Sequence, residues 1–190
     1  MSATLTQWKI GNSTIPFHMG TGCASYIAEQ IAELNPDRIL VLADSIVWQL
    51  NSAEYEPPLA KVAPLRVVSW PSGEVTKTLT SVENIAVQAI ASGLTRRSII
   101  VGIGGGVIGN LAGMTAGLLY RGIRFIHVPT TLLAMHDSVT SLKQGVNASG
   151  AKNILGLFHT PSAVFIDLKF LDSLPCGPDG KPLNAAEGRR

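Results

Sequence analysis

Five short apolar runs punctuate the chain, and windows of helical period fill most of the gaps between them. The runs are RILVLAD (38–44), LRVVSW (65–70), SIIVGI (98–103), RFIHV (124–128) and AVFID (163–167). Each is short and almost continuously apolar, which predicts strands buried on both faces of a sheet. CASYIAEQIAEL (23–34), with Thr21 as a candidate cap, predicts an amphipathic helix. So does TSVENIAVQAIASGL (80–94), which opens on Thr80 or Ser81 with Glu83 close to a capping box and ends near Gly93. VIGNLAGMTAGLLY (107–120) is a further helical window. Strands alternating with helices predict an α/β fold, a Rossmann-like, mostly parallel sheet with helices on both faces and right-handed crossovers. No internal repeat is present. CGPDGKPLNAAEGRR (176–190) has turn formers and no period and reads as a linker or frayed end, which places one domain at 1–175.

Composition narrows the class. Of 190 residues, 46% are hydrophobic and 15% charged, which predicts a packed core and no long disordered tract. The net charge is +2, and no basic stripe interleaves with aromatics, so nucleic acid is not an expected partner. Cys23 and Cys176 match no metal or redox spacing and read as ordinary thiols in a reducing compartment. The N-terminus has no basic start followed by an apolar run, and the greasy stretch Leu111–Tyr120 is too short for a bilayer. A cytoplasmic protein without a membrane partner is expected.

The candidate chemistry centres on GIGGGVIGNLAG (102–113), where Gly104, Gly106 and Gly109 form G-x-G-x-x-G between a strand and a helix. Glycines there let the backbone approach a pyrophosphate, whose charge the free N–H groups of the helix start can bind. A turn used only for close packing is the alternative. Gly109, Ala112, Gly113 and Ala116 recur at helical spacing and would let this helix approach the sheet closely. In the usual dinucleotide fold an acid follows the glycines by roughly twenty residues, but here that region is RFIHVPTT. Asp44 instead ends an earlier strand, either to hold a ribose or to cap the next helix, and the ribose reading requires that the glycine turn not be the first turn of the fold.

Other polar clusters follow strands. SGEVTKT (72–78) offers Glu74 and Lys77, and VPTT (128–131) offers two hydroxyls, each against a plain turn as the alternative. Asp137 and Lys143 in DSVTSLKQGVN, with Lys152 and Asn153 in GAKN, suggest an anionic polar ligand, since lysines neutralise phosphate or polarise a carbonyl. His127 sits in an apolar strand and reads as a hydrogen-bonded core histidine. No set of three ligands at metal spacing stands out, with His136 considered.

Taken together, SGEVTKT, GGGVIGNLAG, YRGIRFIHVPTTLLA, DSVTSLKQGVN, GAKNILGLF and AVFIDLKFLDSLP occur in the order found in the sugar-phosphate cyclases, the superfamily of 3-dehydroquinate synthase. The chain resembles that family over roughly 38–175. Dehydroquinate synthases typically read Gly-Asp-Leu-Ala-Gly and, later, Gly-Gly-Lys-Thr. Here Gly109-Asn110-Leu111-Ala112-Gly113 and Ser141-Leu142-Lys143-Gln144 stand instead. Both departures resemble the 2-deoxy-scyllo-inosose synthase branch, which opens the 2-deoxystreptamine aminoglycoside pathways. A dehydroquinate synthase fragment and a non-catalytic NAD-binding subunit are the alternatives.

The resemblance implies a lyase that turns glucose 6-phosphate into a carbocycle. C4 is transiently oxidised by bound NAD, phosphate is eliminated, the ketone is reduced again, and the opened ring closes by an aldol step. It also implies site residues. Asp44 and Glu74, Val75, Thr76 and Lys77 hold the adenosine end. Gly104, Gly105, Gly106, Val107, Ile108, Gly109 and Asn110 hold the pyrophosphate and nicotinamide ribose. Thr130, Thr131, Ser141, Leu142, Lys152 and Asn153 complete the cofactor site. Asp137 meets sugar hydroxyls, Lys143 is catalytic beside the substrate's carbonyl or phosphate, and Arg121 reaches a phosphate, in a homodimer across the subunit boundary. A helical C-terminal domain with a divalent metal, cobalt or zinc, is expected only in the full-length enzyme. Glu187 is not assigned as a ligand, and this chain alone is expected to turn over little or no substrate.

Overall fold

The computed structural model describes residues 3–10, 13–137, 139 and 142–174. Ser141, Cys176 and the whole of 176–190 lie outside the described residues. In chain order the elements are β1 (Thr4–Ile10), β2 (Ser13–Gly20), α1 (Ala24–Glu33), β3 (Ile39–Asp44), α2 (Ser45–Val62), β4 (Leu65–Trp70), α3 (Leu79–Ala91), β5 (Ile99–Gly104), α4 (Gly106–Leu118), β6 (Arg124–Pro129), α5 (Leu132–His136), β7 (Lys143–Ala148), β8 (Ala151–Phe158) and β9 (Ala163–Asp167).

Seven strands form one sheet in the order β1-β2-β9-β6-β5-β3-β4, parallel from β2 to β4, with β1 antiparallel at the edge. The chain leaves β3 toward β4, then returns past β3 to β5. The order therefore reverses between β3 and β5, and open α/β sheets bind ligands outside the carboxyl ends of the strands at such a reversal. Asp44 and Gly104 end the two strands that flank it. The glycine turn is thus not the first turn of the fold.

The central strands are buried throughout and split two cores between them. Ile39, Val41 and Ala43 face Ile27, Ile31, Tyr55 and Leu59 of α1 and α2. Leu40 and Leu42 face Val82 and Ile85 of α3 and Leu111 and Ala112 of α4. A separate hairpin, β7–β8, lies outside the sheet against α4. Ser149 and Gly150 join its strands with φ of 50° and 76°, and a type I′ turn needs positive φ at both of these positions.

Several expectations are corrected. LRVVSW is a half-exposed edge strand in which only Val68 is buried. Thr21 does not cap α1. The helix has no side-chain cap among the described residues; instead the Asp167 carboxylate, at the end of the neighbouring strand β9, holds the turn before it, accepting the Gly22 and Cys23 N–H groups at 2.8 and 2.6 Å. Helix α3 starts ahead of Thr80, capped by the Thr78 hydroxyl that accepts the Ser81 N–H. It does end at Gly93, where Gly93 N–H and Leu94 N–H return to the carbonyls of Ile90 and Ala89 in a Schellman arrangement. The small-residue stripe of α4 serves two surfaces. Gly109 and Ala112 face the sheet, whereas a Cβ on Gly113 would lie 2.7 Å from Cγ of Gln144 in the hairpin.

Candidate functional site

The carboxyl edge of the sheet gathers most of the residues singled out from the sequence. Strand register sets Ala43 beside Ile103, Asp44 beside Trp70 and Gly104 beside Pro129, so the turns after β3, β4, β5 and β6 emerge side by side. Asp44 Oδ1 accepts the N–H groups of Ile46 and Val47, and Oδ2 accepts the Ser72 hydroxyl. The cap predicted as the alternative is therefore formed, and it also fixes the carboxylate at the mouth of the crevice.

Helix α4 begins differently from its neighbours. Its cap residue is Gly105, and among the described residues no side chain caps it. By contrast α2, α3 and α5 are capped by Asp44, Thr78 and Thr131, whereas α1, like α4, has no side-chain cap among the described residues. Val107 and Ile108 pack their side chains against the core, so they present only backbone here. Not all the glycines serve an approach from outside. A Cβ on Gly104 would meet Ile108 at 2.7 Å, and one on Gly109 would meet the His127 ring at 2.6 Å. Gly105 is the open one: its added Cβ would make only ordinary contact, 3.4 Å from Thr131 Cγ2.

The two threonines after β6 separate in role. Thr131 Oγ1 accepts the Ala134 N–H and starts α5. Thr130 is 2% exposed, and its hydroxyl has no hydrogen-bond partner among the described residues. Beside an uncapped helix start, an orphaned buried hydroxyl fits a polar ligand entering the crevice. Trp70 Nε1, at the end of β4, is likewise buried without a partner.

The hairpin brings a second polar group to this edge. Lys77 is buried and gives its ammonium to Asn153 Oδ1, while Asn147 donates to the backbone and the carboxylate of Glu74. Asn153, held at φ 54°, donates its N–H to Asn147 Oδ1, and Lys152 approaches Glu74 at 4.0 Å. Burial pushes the Lys77 ammonium below its ordinary pKa; nearby Glu74 raises it and Lys152 lowers it further. Val75 and Thr76 form the exposed short turn that carries Glu74, with the Thr76 hydroxyl donating to Gly73 O. Asn147 was not singled out from the sequence, though it lies inside the quoted DSVTSLKQGVN. The signal would have been an Asn two residues before the Ser149–Gly150 turn, facing Lys152 and Asn153 across it.

Asn110 joins the two groups. Its Nδ2 donates to Gly106 O and its Oδ1 accepts Gly145 N–H, both at 2.7 Å.

Other residues lie apart. Lys143 opens β7 opposite Phe158, at the far end of the hairpin from Lys152. The strand rise puts about 13 Å between Lys143 and Asn147 along β7. Leu142 packs partly buried against the α1–α2 core, and Asp137 is exposed at the end of α5. Arg121 precedes β6 and therefore sits at the amino edge of the sheet, opposite the glycine turn. Tyr120, Arg121 and Gly122 all have positive φ there, at 52°, 68° and 117°. Arg121 lines a shallow groove with Arg96, Arg124 and His159. An apolar groove beside it runs between α3 and the end of α4, over Leu79, Ile90, Leu118 and Tyr120.

His127 is a core residue as expected, but its Nε2 has no hydrogen-bond partner among the described residues, and burial pushes its pKa down to about 4. Among the described residues, no three of His, Cys, Asp and Glu gather as a metal-binding group. No helix among them is long and apolar enough to cross a membrane.

Comparison with known proteins agrees with this architecture. Residues 67–177 match the family described as 3-dehydroquinate synthase N-terminal. The chain is similar to the 2-deoxy-scyllo-inosose synthase of Streptomyces paromomycinus, 44% identical over 172 residues, which are 90% of this chain and 45% of that protein. Its fold matches a crystal structure of 2-deoxy-scyllo-inosose synthase complexed with carbaglucose-6-phosphate, NAD+ and Co2+, with a TM-score of 0.84 and 37% identity over 90% of this chain and 47% of that one. It also matches 2-epi-5-epi-valiolone synthase of Streptomyces hygroscopicus subsp. jinggangensis with NAD+ and Zn2+ bound, with a TM-score of 0.76 and 25% identity over 88% of this chain and 47% of that one. The chain spans less than half the length of the curated relatives it matches.

Proposed function

The chain belongs to the 3-dehydroquinate synthase N-terminal family, and on that premise we propose that residues 1–175 are the NAD-binding domain of a cytoplasmic 2-deoxy-scyllo-inosose synthase. The whole enzyme would be a lyase that releases phosphate from glucose 6-phosphate as it closes a carbocycle. The supporting observation is an uncapped, glycine-led helix start at the sheet's reversal point. It occurs in a chain 44% identical over 172 residues to such a synthase.

In this reading the backbone N–H groups of Gly106, Val107 and Ile108 hold the cofactor's pyrophosphate, because four helix-start donors otherwise lack acceptors. Asp44 and the Glu74–Lys77 turn hold the adenosine end. Thr130, Lys152 and Asn153 complete the cofactor site, the Thr130 hydroxyl gaining the partner it lacks among the described residues. When bound, NAD supplies a hydride acceptor and donor for the sugar carbon. Lys143 stabilises negative charge on the substrate's oxygens, and Asp137 orients its hydroxyls. Arg121 serves the phosphate site of a second copy, with the apolar groove beside it as the subunit contact. The described residues do not build a metal site, so no step is assigned to one. A cobalt or zinc site is proposed for the remainder of the full-length enzyme.

Calorimetric titration of NAD into this protein tests the cofactor half, and absence of binding at saturating NAD would refute it. The substrate half is tested in a chimera carrying the C-terminal part of a 2-deoxy-scyllo-inosose synthase. Phosphate release from glucose 6-phosphate is expected. Release only from the seven-carbon substrate of 3-dehydroquinate synthase would favour that enzyme. NAD binding with neither release would favour a non-catalytic subunit.

A further inference from the structure

The groove at the amino edge of the sheet has a volume of about 390 Å³ and is lined by Arg96, Arg121 and Arg124 with His159, Thr160 and Ser162; no acid lines it among the described residues. Only 15% of the chain is charged, so this is a local concentration of positive charge. One of the guanidiniums is used inside the protein, since Arg124 donates to the carbonyls of Leu34 and Arg97. The other two are not. Neither the Arg96 nor the Arg121 guanidinium has a hydrogen-bond or ion-pair partner among the described residues. His159 donates from Nε2 to Ile123 O and stacks on Phe125, so it forms a fixed wall.

The backbone holds both free arginines. Tyr120, Arg121 and Gly122 take positive φ in succession. Tyr and Arg avoid that region, and such strain persists only where neighbouring structure enforces it. Here Gly122 N–H returns to Leu119 O and Ile123 N–H to Ala116 O. The Tyr120 hydroxyl donates to Leu94 O at 2.8 Å. Leu94 is buried, and Arg96 follows it closely in the chain. Around Arg96, the Thr95 hydroxyl donates to Asp37 and accepts Arg97 N–H, while the Ser98 hydroxyl accepts Thr95 N–H. The Tyr120 bond therefore joins the segment carrying Arg121 to the segment carrying Arg96.

We propose that Arg96 is a second guanidinium in the phosphate site that Arg121 serves, and that Tyr120 is the positioning residue that holds the pair. Two planar forks on adjacent loops suit a tetrahedral dianion, which accepts paired N–H bonds along more than one edge. Placing that phosphate on the sugar of a second copy rests on the function proposed above, whereas the anion site on this chain does not. Free phosphate, which the proposed reaction releases, has the same chemistry.

The test uses the chain itself at fixed ionic strength. Arginine side-chain N–H signals are followed by NMR as inorganic phosphate is added to the native chain, Arg96→Gln, Arg121→Gln and Arg66→Gln, the last altering an exposed residue of β4 at the far edge of the sheet. Arg96→Gln and Arg121→Gln are each expected to weaken phosphate by roughly fivefold to twentyfold, as for the loss of a charge-assisted bond. Arg66→Gln should stay within about twofold. No saturable binding, native affinity in Arg96→Gln, or an equal loss in Arg66→Gln overturns the clamp. Tyr120→Phe keeps the ring and loses the bond to Leu94. It is expected to weaken phosphate roughly threefold or more, and to add little in an Arg121→Gln background. A lower melting temperature with unchanged phosphate affinity, or fully additive losses, overturns the positioning role. Glucose 6-phosphate separates the two sources. Binding tighter than that of inorganic phosphate, and rising with protein concentration, supports a substrate phosphate shared by two copies. Equal binding by a monomer supports the clamp for free phosphate and refutes the cross-subunit part of the proposed function. Failure to bind NAD refutes the cofactor reading and leaves these titrations to decide the clamp.

Discussion

Gly109→Ala separates packing from ligand binding in the glycine stretch. A methyl group at this position would lie 2.6 Å from Cε1 of His127 and closer still to Nε2. Ordinary contact needs about 3.5 Å, so helix or ring must move by about 1 Å. Neither moves freely. His127 is 4% exposed in a central strand, and α4 is wedged between the sheet and the hairpin. Overpacking of this kind costs about 1–3 kcal/mol, and a fully enclosed ring puts the cost toward about 3 kcal/mol. Alanine's helix preference over glycine returns about 1 kcal/mol. The net loss is about 2 kcal/mol, or roughly 4–8 °C in melting temperature for a chain of this size. Thermal and guanidinium melts of Gly109→Ala, His127→Ala and the double variant measure it, with Gly105→Ala as the control whose new methyl meets only Thr131 at 3.4 Å. The pair is expected to be strongly non-additive, since removing the ring makes room for the methyl. A Gly109→Ala protein as stable as the native one, or one equally destabilised without the His127 ring, would refute the reasoning.

Three further outcomes are expected. Gly105→Asp should cap α4 and stabilise the free protein by up to about 1 kcal/mol, while its carboxylate competes for the N–H groups proposed for pyrophosphate; melts with and without NAD would show the ligand-induced shift disappearing. Thr130→Val removes a buried hydroxyl that has no partner among the described residues. It should leave the free protein as stable or slightly more so but weaken NAD, so calorimetry should report a rise in Kd without a fall in melting temperature. His127 stays neutral in the fold because burial holds its pKa at about 4, against an ordinary value of 6.5. Between those values the unfolded chain binds a proton that the folded chain refuses. Stability should therefore fall as pH drops through that window, by about 1.4 kcal/mol per unit. His127→Phe should lose that part of the acid sensitivity. The same burial effect on His18 remains in both proteins, and denaturation at about pH 7 and about pH 5 gives the difference.

Legibility followed burial. Strands β3, β5, β6 and β9 announced themselves because both faces are covered and nearly every residue is apolar. Strands β1 and β8 did not, since residues 4–9 and all of β8 but Leu157 are exposed and mix Lys, Asn and Thr with Leu and Trp. Helix α2 was equally silent: Pro57 and Pro58 lie inside it, and only Tyr55 and Leu59 are buried. In the site, residues that end strands were readable, because a strand's end is a local event. Asp44, Gly104 and Thr130 belong to that group. The clustering of Asp137, Lys143, Lys152 and Asn153 in sequence did not carry over, because a hairpin sends Lys143 and Lys152 to opposite ends. Thr130 and Thr131 look equivalent as letters, yet Thr131 caps a helix and Thr130 buries a hydroxyl with no partner among the described residues. That Arg121 sits on the opposite edge depends on strand direction, which no window of sequence contains.

The place of β2 has a consequence for the order of assembly. It bonds only to β1 and β9, and Asp167, at the end of β9, binds Gly22 and Cys23 across 145 and 144 residues of chain. During synthesis the β1–β2 hairpin emerges first but has no sheet to join. Strands β3 to β6 can pair among themselves while Ile15 and Phe17 wait uncovered. Contacts so distant in sequence form slowly and leave apolar surface exposed meanwhile. The first strands made are the last seated, and a ribosome that stalls before Asp167 releases a chain whose opening hairpin has nowhere to bind.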